Sequence, residues 1–502
     1  MISHHILLTL PIVFPLMGLV ITVFLWRHRS LQRLSSFVIS LLFLWSAIEL
    51  LLVTKKDVIA TQFGSWQAPF GISFVSDNLS AAMVLITALM AVVVAIYQFY
   101  DSEKRVKPMF YPLYHGLLLG VTGAFLTGDI FNLYVWFEIM LIASFGLLVI
   151  DGTKEQLDAG VKYVMLNLVM TTLFLVAVAF LYGATGTLNM ADLASRVPQI
   201  ENSGLLTTLS LLFLAVFASK AALFPLFFWL PASYHTASTP VLAIFAALLT
   251  KVGVYAIVRC FTLIFPVTEG LALIIGIFAA LTMITGVLGA ASHFEIRKIL
   301  SFHIISQIGY MLVGVAIGTP LALAGSVLYI VHHIIVKANL FLIGGVIKDK
   351  GGTYELKRLG GLHRSAPLLA ILFCIPALSL AGLPPLSGFW AKYLVIKPSL
   401  DAGYWYLALT ALLVGVLTLF SMLKIWNEAF WKDSTAPKPK IAQVSRRESI
   451  VQYVAIAILS AITLCIGLNP EPFVSFSIEA ANQLADQNHY INAVFGGEYA
   501  SN

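Results

Sequence analysis

The sequence runs to 502 residues, of which 59% are hydrophobic and only 11% charged, with a net charge of +6. A soluble globular domain carries roughly 25% charged residues, so this chain lacks the side chains for a water-facing surface. Apolar runs of about 18 residues or more recur from end to end, the length a bilayer demands of a helix. The surplus Lys and Arg lie in short loops between these runs, where the positive-inside rule accounts for them without a nucleic acid partner. Cys260, Cys374 and Cys465 stand far apart in apolar segments, which leaves no disulfide, zinc or iron–sulfur framework.

These features predict an all-α polytopic membrane protein with about fourteen transmembrane helices. In chain order, spans at 4–26, 35–53 and 79–100 make an N-terminal group, 1–108. The first lacks the basic start of a signal peptide and reads as a retained span. Spans at 109–127, 130–150, 160–183, 205–230 and 239–265 make a first repeat, 109–265; spans at 270–292, 298–318, 320–347, 366–396 and 403–428 make a second, 266–430. A last span at 450–468 falls in a C-terminal segment, 431–502. Between spans, 54–78 alternates polar and apolar residues as a hairpin does, 184–203 reads as an amphipathic surface segment, and Asp77 and Asp129 stand where helix N-caps are expected.

Loop charge sets the orientation. Arg27, Arg29 and Arg33 follow the first span, Lys104, Arg105 and Lys107 the third, Lys154 the fifth, Arg297 and Lys298 the ninth. Further basic clusters follow the eleventh and thirteenth spans, while the alternate loops hold little. Odd-numbered spans therefore exit into the cytoplasm of a multi-pass cell-membrane protein with both termini outside.

Three spans look broken, and the eleventh among them carries Gly325 ahead of His332, His333 and Lys337 in mid-membrane. The seventh carries Pro225 with Pro231 beyond it; the twelfth carries Gly382, Pro384, Pro385 and Gly388. Proline removes an intrahelical hydrogen bond, and irregular backbone survives at membrane depth only against protein or water. Paired interruptions five spans apart suggest two inverted five-helix repeats, with the pathway near the breaks.

A charge at the bilayer centre costs from about 2.5 to more than 10 kcal/mol, so each one needs a reason. Glu138, Lys220, Lys251, Lys337 and Lys392 all fall well inside spans, as do His332 and His333. Glu138 and Lys220 lack partners on their own helices and are expected to pair across helices. A movable carboxylate would then tune the lysine's proton affinity. Lys251 lies about twelve residues into its span, roughly 18 Å, too deep to snorkel; Arg259, nearer the outer end, is placed to do so. His333 and Lys337 share a face at i, i+4, and only one of His332 and His333 need face the pathway. Lys424 and Glu428 are spaced as a local pair, and His235, His293 and His303 lie near cytoplasmic span ends where protons would enter. No carboxylate or thiol cluster suits a metal ion, and no motif calls for a cofactor.

The run Lys220-Ala-Ala-Leu-Phe-Pro225-Leu-Phe-Phe-Trp229-Leu-Pro231, followed by His235-Thr-Ala-Ser-Thr-Pro240 and Lys251-Val-Gly-Val-Tyr255, resembles the core motif of the antiporter-like proton-translocating subunits. That family includes the large membrane subunits of respiratory complex I and of the Mrp cation/proton antiporters. The resemblance covers nearly the whole chain. It implies that Glu138 is the family's glutamate on the fifth span and Lys220 its partner on the seventh. It likewise implies that Lys251 is the central lysine, that His332, His333 and Lys337 are the eleventh-span relay, and that Lys392 is the terminal residue. The stretches Gly64-Ser-Trp-Gln-Ala-Pro69-Phe-Gly71-Ile and Leu226-Phe-Phe-Trp229 are similar to the Mrp branch. Lys392 stands where one complex I subunit has glutamate, and Phe227 where many relatives place histidine, which removes a titratable group from the cytoplasmic side.

The resemblance implies a non-enzymatic subunit of an Mrp-type Na+/H+ antiporter, assembled with other membrane subunits, that conducts protons through a hydrated relay while sodium crosses elsewhere. Two alternatives stay open: a proton-pumping membrane subunit of a complex I-type oxidoreductase or related hydrogenase, and a non-translocating scaffold with fixed ion pairs.

Overall fold

In hydrocarbon every backbone polar group must be satisfied within the chain, and the long apolar runs accordingly fold as helices. The computed structural model describes residues 4–99, 106–433 and 446–496. Its helices are α1 (His4–Phe24), α2 (Arg29–Thr54), α3 (Asn78–Gln98), α4 (Phe110–Leu126), α5 (Ile130–Leu148), α6 (Lys154–Thr185), α7 (Met190–Arg196), α8 (Ser203–Ala221), α9 (Trp229–Tyr234) and α10 (Thr239–Leu263). There follow α11 (Glu269–Ser292), α12 (Ile296–Ile317), α13 (Pro320–Gly351), α14 (Leu362–Ser365), α15 (Pro367–Ala381), α16 (Ser387–Asp401), α17 (Trp405–Ile425), α18 (Arg446–Leu468), α19 (Glu471–Ala485) and α20 (Gln487–Phe495). Among the described residues twelve helices are long and apolar enough to cross a membrane, and α4 and α15 are shorter apolar helices. The protein is thus an all-α, multi-pass membrane protein.

The helices α10, α12 and α13 form the centre and are buried almost throughout. At the rim α6 exposes Val161, Met165, Val169 and Phe180, and α17 exposes Leu409, Leu413, Val416 and Phe420. These apolar faces meet lipid or other chains, since in a bilayer the apolar surface need not turn inward.

The expected hairpin forms: β1 (Ile59–Gln62) pairs antiparallel with β2 (Ser73–Ser76), Ile59 opposite Ser76. Asp77 and Asp129 cap α3 and α5 by accepting from the Ser80 and Asn132 amides. The segment expected to lie on the surface instead packs inward, because Asn189 caps α7 and its residues Met190, Ala191, Leu193 and Ala194 are buried. The C-terminal tail, which polar composition alone did not resolve, forms α19 and α20. They dock on the hairpin side, with the Gln483 side-chain oxygen accepting from the Asn78 amide at 2.9 Å.

Of the three predicted interruptions, the two at prolines are real and share one geometry. The eleventh span instead runs unbroken as α13, because Gly325, unlike proline, keeps its amide donor and serves close packing against α16, where a Cβ would run into the Leu394 carbonyl oxygen. The seventh span divides into α8 and α9, the twelfth into α15 and α16. Ser219-Lys220-Ala221-Ala222-Leu223-Phe224-Pro225-Leu226 and Ser379-Leu380-Ala381-Gly382-Leu383-Pro384-Pro385-Leu386 agree at five of eight positions. In each, the fourth residue is left-handed, Ala222 at φ 61 and Gly382 at φ 93. The next amide closes a 6→1 bond, Leu223 to the Ala218 carbonyl at 2.9 Å and Leu383 to the Leu378 carbonyl at 3.2 Å. This is the Schellman ending of a helix, which satisfies last-turn carbonyls that hydrocarbon would otherwise leave bare.

Arg259 does not snorkel. Its guanidinium donates to Asp77 at 2.6 Å with both side chains 4% exposed, and it lies 5.2 Å from the Tyr490 ring centroid. The hairpin delivers a carboxylate to α10, so a buried pair replaces the expected escape to water. Removing one partner strands the other charge, at a cost of roughly 3–5 kcal/mol. Asp77→Ala is therefore expected to lower the thermal unfolding midpoint of the detergent-solubilised protein sharply, whereas the double variant Asp77→Leu/Arg259→Met recovers most of the loss. Equal destabilisation of single and double variants would contradict the pairing.

Candidate proton-relay site

Lys220 is the penultimate residue of α8, two residues before the left-handed Ala222, so the break sets where its side chain lies. Its ammonium donates to Asn167 Oδ1 of α6 at 3.3 Å and lies 5.8 Å from the Phe137 ring centroid. Asn167 is held in turn by its own bond to the Tyr163 carbonyl, 2.8 Å. Glu138, the next residue after Phe137 on α5, is half-buried and interacts electrostatically with Lys220. The direct ion pair expected between them is not formed in this conformation; Asn167 takes the lysine instead.

The second half of the site begins at Gly253. A Cβ there would fall 2.5 Å from the Ala221 nitrogen, so glycine lets α10 close against the end of α8. That contact seats α10 on the backbone of Lys220 and Ala221, two residues along the helix from Lys251. Lys251 is wholly buried and donates to the Ala246 carbonyl at 2.5 Å. Across from it on α13, Lys337 is equally buried and donates to the Leu300 carbonyl of α12 at 3.2 Å. Lys251 interacts electrostatically with both His333 and Lys337.

The two histidines face different ways, so both line the site. Neither ring nitrogen of His333 has a hydrogen-bond partner, and its electrostatic neighbours are Lys251, Lys337, His332 and His303. His332 Nδ1 is bonded to Ser387 Oγ at 2.8 Å, and Ser387 to Ser379 Oγ at 3.0 Å. The α15–α16 break thereby anchors His332, on the side of Lys392. Lys392 donates to the Ala381 carbonyl at 2.8 Å, the last residue of α15, and sits 5.1 Å from the Tyr310 ring centroid. Gly382 makes room for it: a Cβ there would meet Lys392 Cδ at 2.6 Å.

The structure adds members that the residue pattern did not rank. His303, expected near a cytoplasmic entry, is wholly buried with both ring nitrogens unpartnered, and interacts with Lys337, Lys392 and Lys424. Tyr329 donates to Gln307, and its ring stacks on Tyr310 at 5.1 Å. Asn167 and Gln307 carried a usable signal, polar amides inside apolar runs, which in hydrocarbon demand a partner. The expected Lys424–Glu428 pair is not made. Lys424 donates instead to the Ala290, Ala291 and His293 carbonyls at the end of α11, at 3.3, 2.7 and 2.7 Å, while Glu428 pairs with Lys432. Bare last-turn carbonyls and the negative helix end attract a cation that a neighbouring carboxylate would otherwise take.

Among the described residues no group of three or more His, Cys, Asp or Glu could hold a metal ion. A polar cleft of about 300 Å³ opens beside the α9–α10 turn, lined by Tyr97, Asp151, Thr236, Thr239, Arg297 and Asp349 among others. His235 lies in the same turn, bonded through Nδ1 to the Pro231 carbonyl at 2.9 Å.

Fold and site together define a polytopic helical protein in which two interrupted helices flank a row of buried cations with neutral oxygen partners. Residues 127–418 match the model of the NADH:quinone oxidoreductase/Mrp antiporter transmembrane family, and the chain belongs to that family. It is 46% identical over 491 residues to the D-type subunit of the Na(+)/H(+) antiporter of Alkalihalophilus pseudofirmus, covering 97% of this chain and 99% of that one. It is 40% identical to the D-type subunit of the Na(+)/H(+) antiporter of Bacillus subtilis, covering 97% and 98%. Among solved structures it is similar to a chain of the Mrp complex from Dietzia sp. DQ12-45-1b, with a TM-score of 0.91, 33% identity and coverage of 98% and 100%.

Proposed function

We propose that the chain is the D-type member of a multisubunit Na+/H+ antiporter of the cell membrane, and that it carries the protons. One observation supports this most directly. Lys220, Lys251, Lys337 and Lys392 are all buried, and each donates its hydrogen bond to a neutral oxygen, never to a carboxylate. A structural cation in hydrocarbon would be paired; an unpaired lysine readily gives up its proton, which suits a relay. The nitrogens of His303, His332 and His333 that lack a protein partner supply sites where a water chain can donate and accept.

In this reading the proton path runs from Lys220 to Lys251, through His333 to Lys337, and by His303 and His332 to Lys392. Glu138 is the gate. While Lys220 rests on Asn167, as here, it is free to lose its proton; when Glu138 moves in, the carboxylate holds it charged. In the same reading the polar cleft at the α9–α10 turn is a cytoplasmic mouth and both termini lie outside the cell, an orientation that the alternation of basic loops supports. Sodium crosses elsewhere in the assembly with its partner subunits, since this row offers ammonium groups where a hard cation needs several oxygens.

Glu138→Gln and Lys220→Ala are expected to abolish Na+-driven proton movement in everted vesicles while the assembly still purifies intact. Wild-type transport by both variants would overturn the proposal and favour a scaffold. Copurification of flavin or iron–sulfur proteins with the chain would instead favour a redox-driven complex.

A further inference from the structure

On the side of the β1–β2 hairpin, a groove of about 270 Å³ runs between α2, α3, α13, α18 and α19. Ala82, Leu85, Ile86 and Leu89 of α3 line it, and Leu328, Val331 and Ile335 of α13 face them. The α3 residues are spaced by three and four, so a single apolar stripe on that helix forms the wall. From Leu328 to Ile335 the groove descends roughly 10 Å by helical rise, within the roughly 15 Å half-thickness of a hydrocarbon core. Its upper end carries the one charged lining residue, Lys55, at the end of α2, with its ammonium 5.3 Å from the Phe476 ring centroid of α19. Lys55 makes no ion pair among the described residues, and the exposed Lys56 follows it.

We propose that this groove is a binding site for one acyl chain of an anionic phospholipid, with the headgroup at Lys55 and Lys56. Depth, wall and charge agree on that occupant. The acyl chain lies in a slot of roughly two-thirds of one leaflet's depth, and the phosphate meets Lys55 at its mouth, with Lys56 next in the chain, where interfacial lysines normally sit. A zwitterionic lipid would fill the slot equally but gain less at its mouth. The site also has a place in the relay reading, on which this consequence rests. Val331 and Ile335 face the groove while the adjacent His332 and His333 turn to the interior, so the bound acyl chain backs a wall one helix thick and keeps water from crossing sideways out of the relay.

The site itself is tested without transport. The purified assembly is placed in vesicles holding equal parts of phosphatidylglycerol and phosphatidylcholine, each in turn bearing a photoactivatable group at mid-chain, and the labelled peptides are identified. We expect label on the stripes at 82–89 and 327–335, with phosphatidylglycerol favoured roughly fivefold. Lys55→Gln should bring the two lipids near parity, and Ala82→Leu should lower labelling of both. Label spread evenly over the lipid-facing residues of α2, such as Leu34 and Leu41, would overturn the proposal. So would an unlabelled groove whose Val331→Cys variant cross-links to a partner subunit. The wild-type arm decides without relying on any variant to fold. Intact labelling alongside inactive transport variants would separate this site from the relay.

Discussion

Lys337→Ala should lower Na+-driven proton transport at least about a hundredfold, the usual effect of losing a positioned proton-transfer group, and Lys337→Arg should do the same. The arginine variant carries the weight. Arginine keeps the positive charge and the reach to the Leu300 carbonyl, but its guanidinium does not release a proton at any accessible pH. If Lys337 were a structural cation, arginine would restore function. If it passes protons, arginine blocks the row between His333 and His303. The measurement is fluorescence dequenching in everted vesicles upon Na+ addition, with the level of each assembled protein followed by immunoblot. Half of wild-type activity in the arginine variant would exclude the relay role. Stability should change little with alanine, because deleting a buried charge without a counter-ion removes a desolvation cost and strands no opposite charge, only the Leu300 carbonyl losing a donor.

Gly382→Ala is expected to damage transport severely, because it acts directly on Lys392. Two effects combine there. At φ 93 an L-side chain is strained, by roughly 1–2 kcal/mol, and the new methyl would stand 2.6 Å from Lys392 Cδ. Since the backbone is tied by the Leu383-to-Leu378 bond, the lysine must move, and with it the donor to the Ala381 carbonyl. Transport should fall to a few per cent or less. The corresponding residue of the other break supplies the control. Ala222 already holds φ 61, so Ala222→Gly relieves strain and should raise the thermal midpoint slightly with transport retained. Loss of transport on glycine substitution at 222, or full activity with alanine at 382, would show that the two breaks do not act as supports for their lysines.

Much of the architecture was legible in the amino-acid order because the bilayer leaves few choices. A run of twenty apolar residues has to be a helix, a proline within it removes a ladder bond, and a lysine in its middle has to have a use. Glu138, the four lysines and the histidine pair could be picked out on that logic alone, as could the hairpin and the caps at Asp77 and Asp129. The interruptions of the seventh and twelfth spans were equally plain, and their shared Ser-x-Ala-x-Leu-x-Pro-Leu pattern shows that each helix ending is written locally, whereas Gly325 without a proline did not break the eleventh.

Partnership was not written locally. Arg259 looked like an interfacial residue until the hairpin brought Asp77 within 2.6 Å of it. Lys424 had a carboxylate one turn away and bonded instead to three carbonyls at the C-terminal end of α11, the last that of its cap His293. Lys220 rests on Asn167 in place of Glu138, and His303 belongs to the interior row. In each case the deciding atom comes from another helix, and spacing along one helix carries no information about what a neighbour presents. The amino-acid order by itself determined which residues are costly to bury, because that cost belongs to the side chain and its depth. Only the tertiary structure decided which oxygen meets each buried cation, because that depends on where the helices cross.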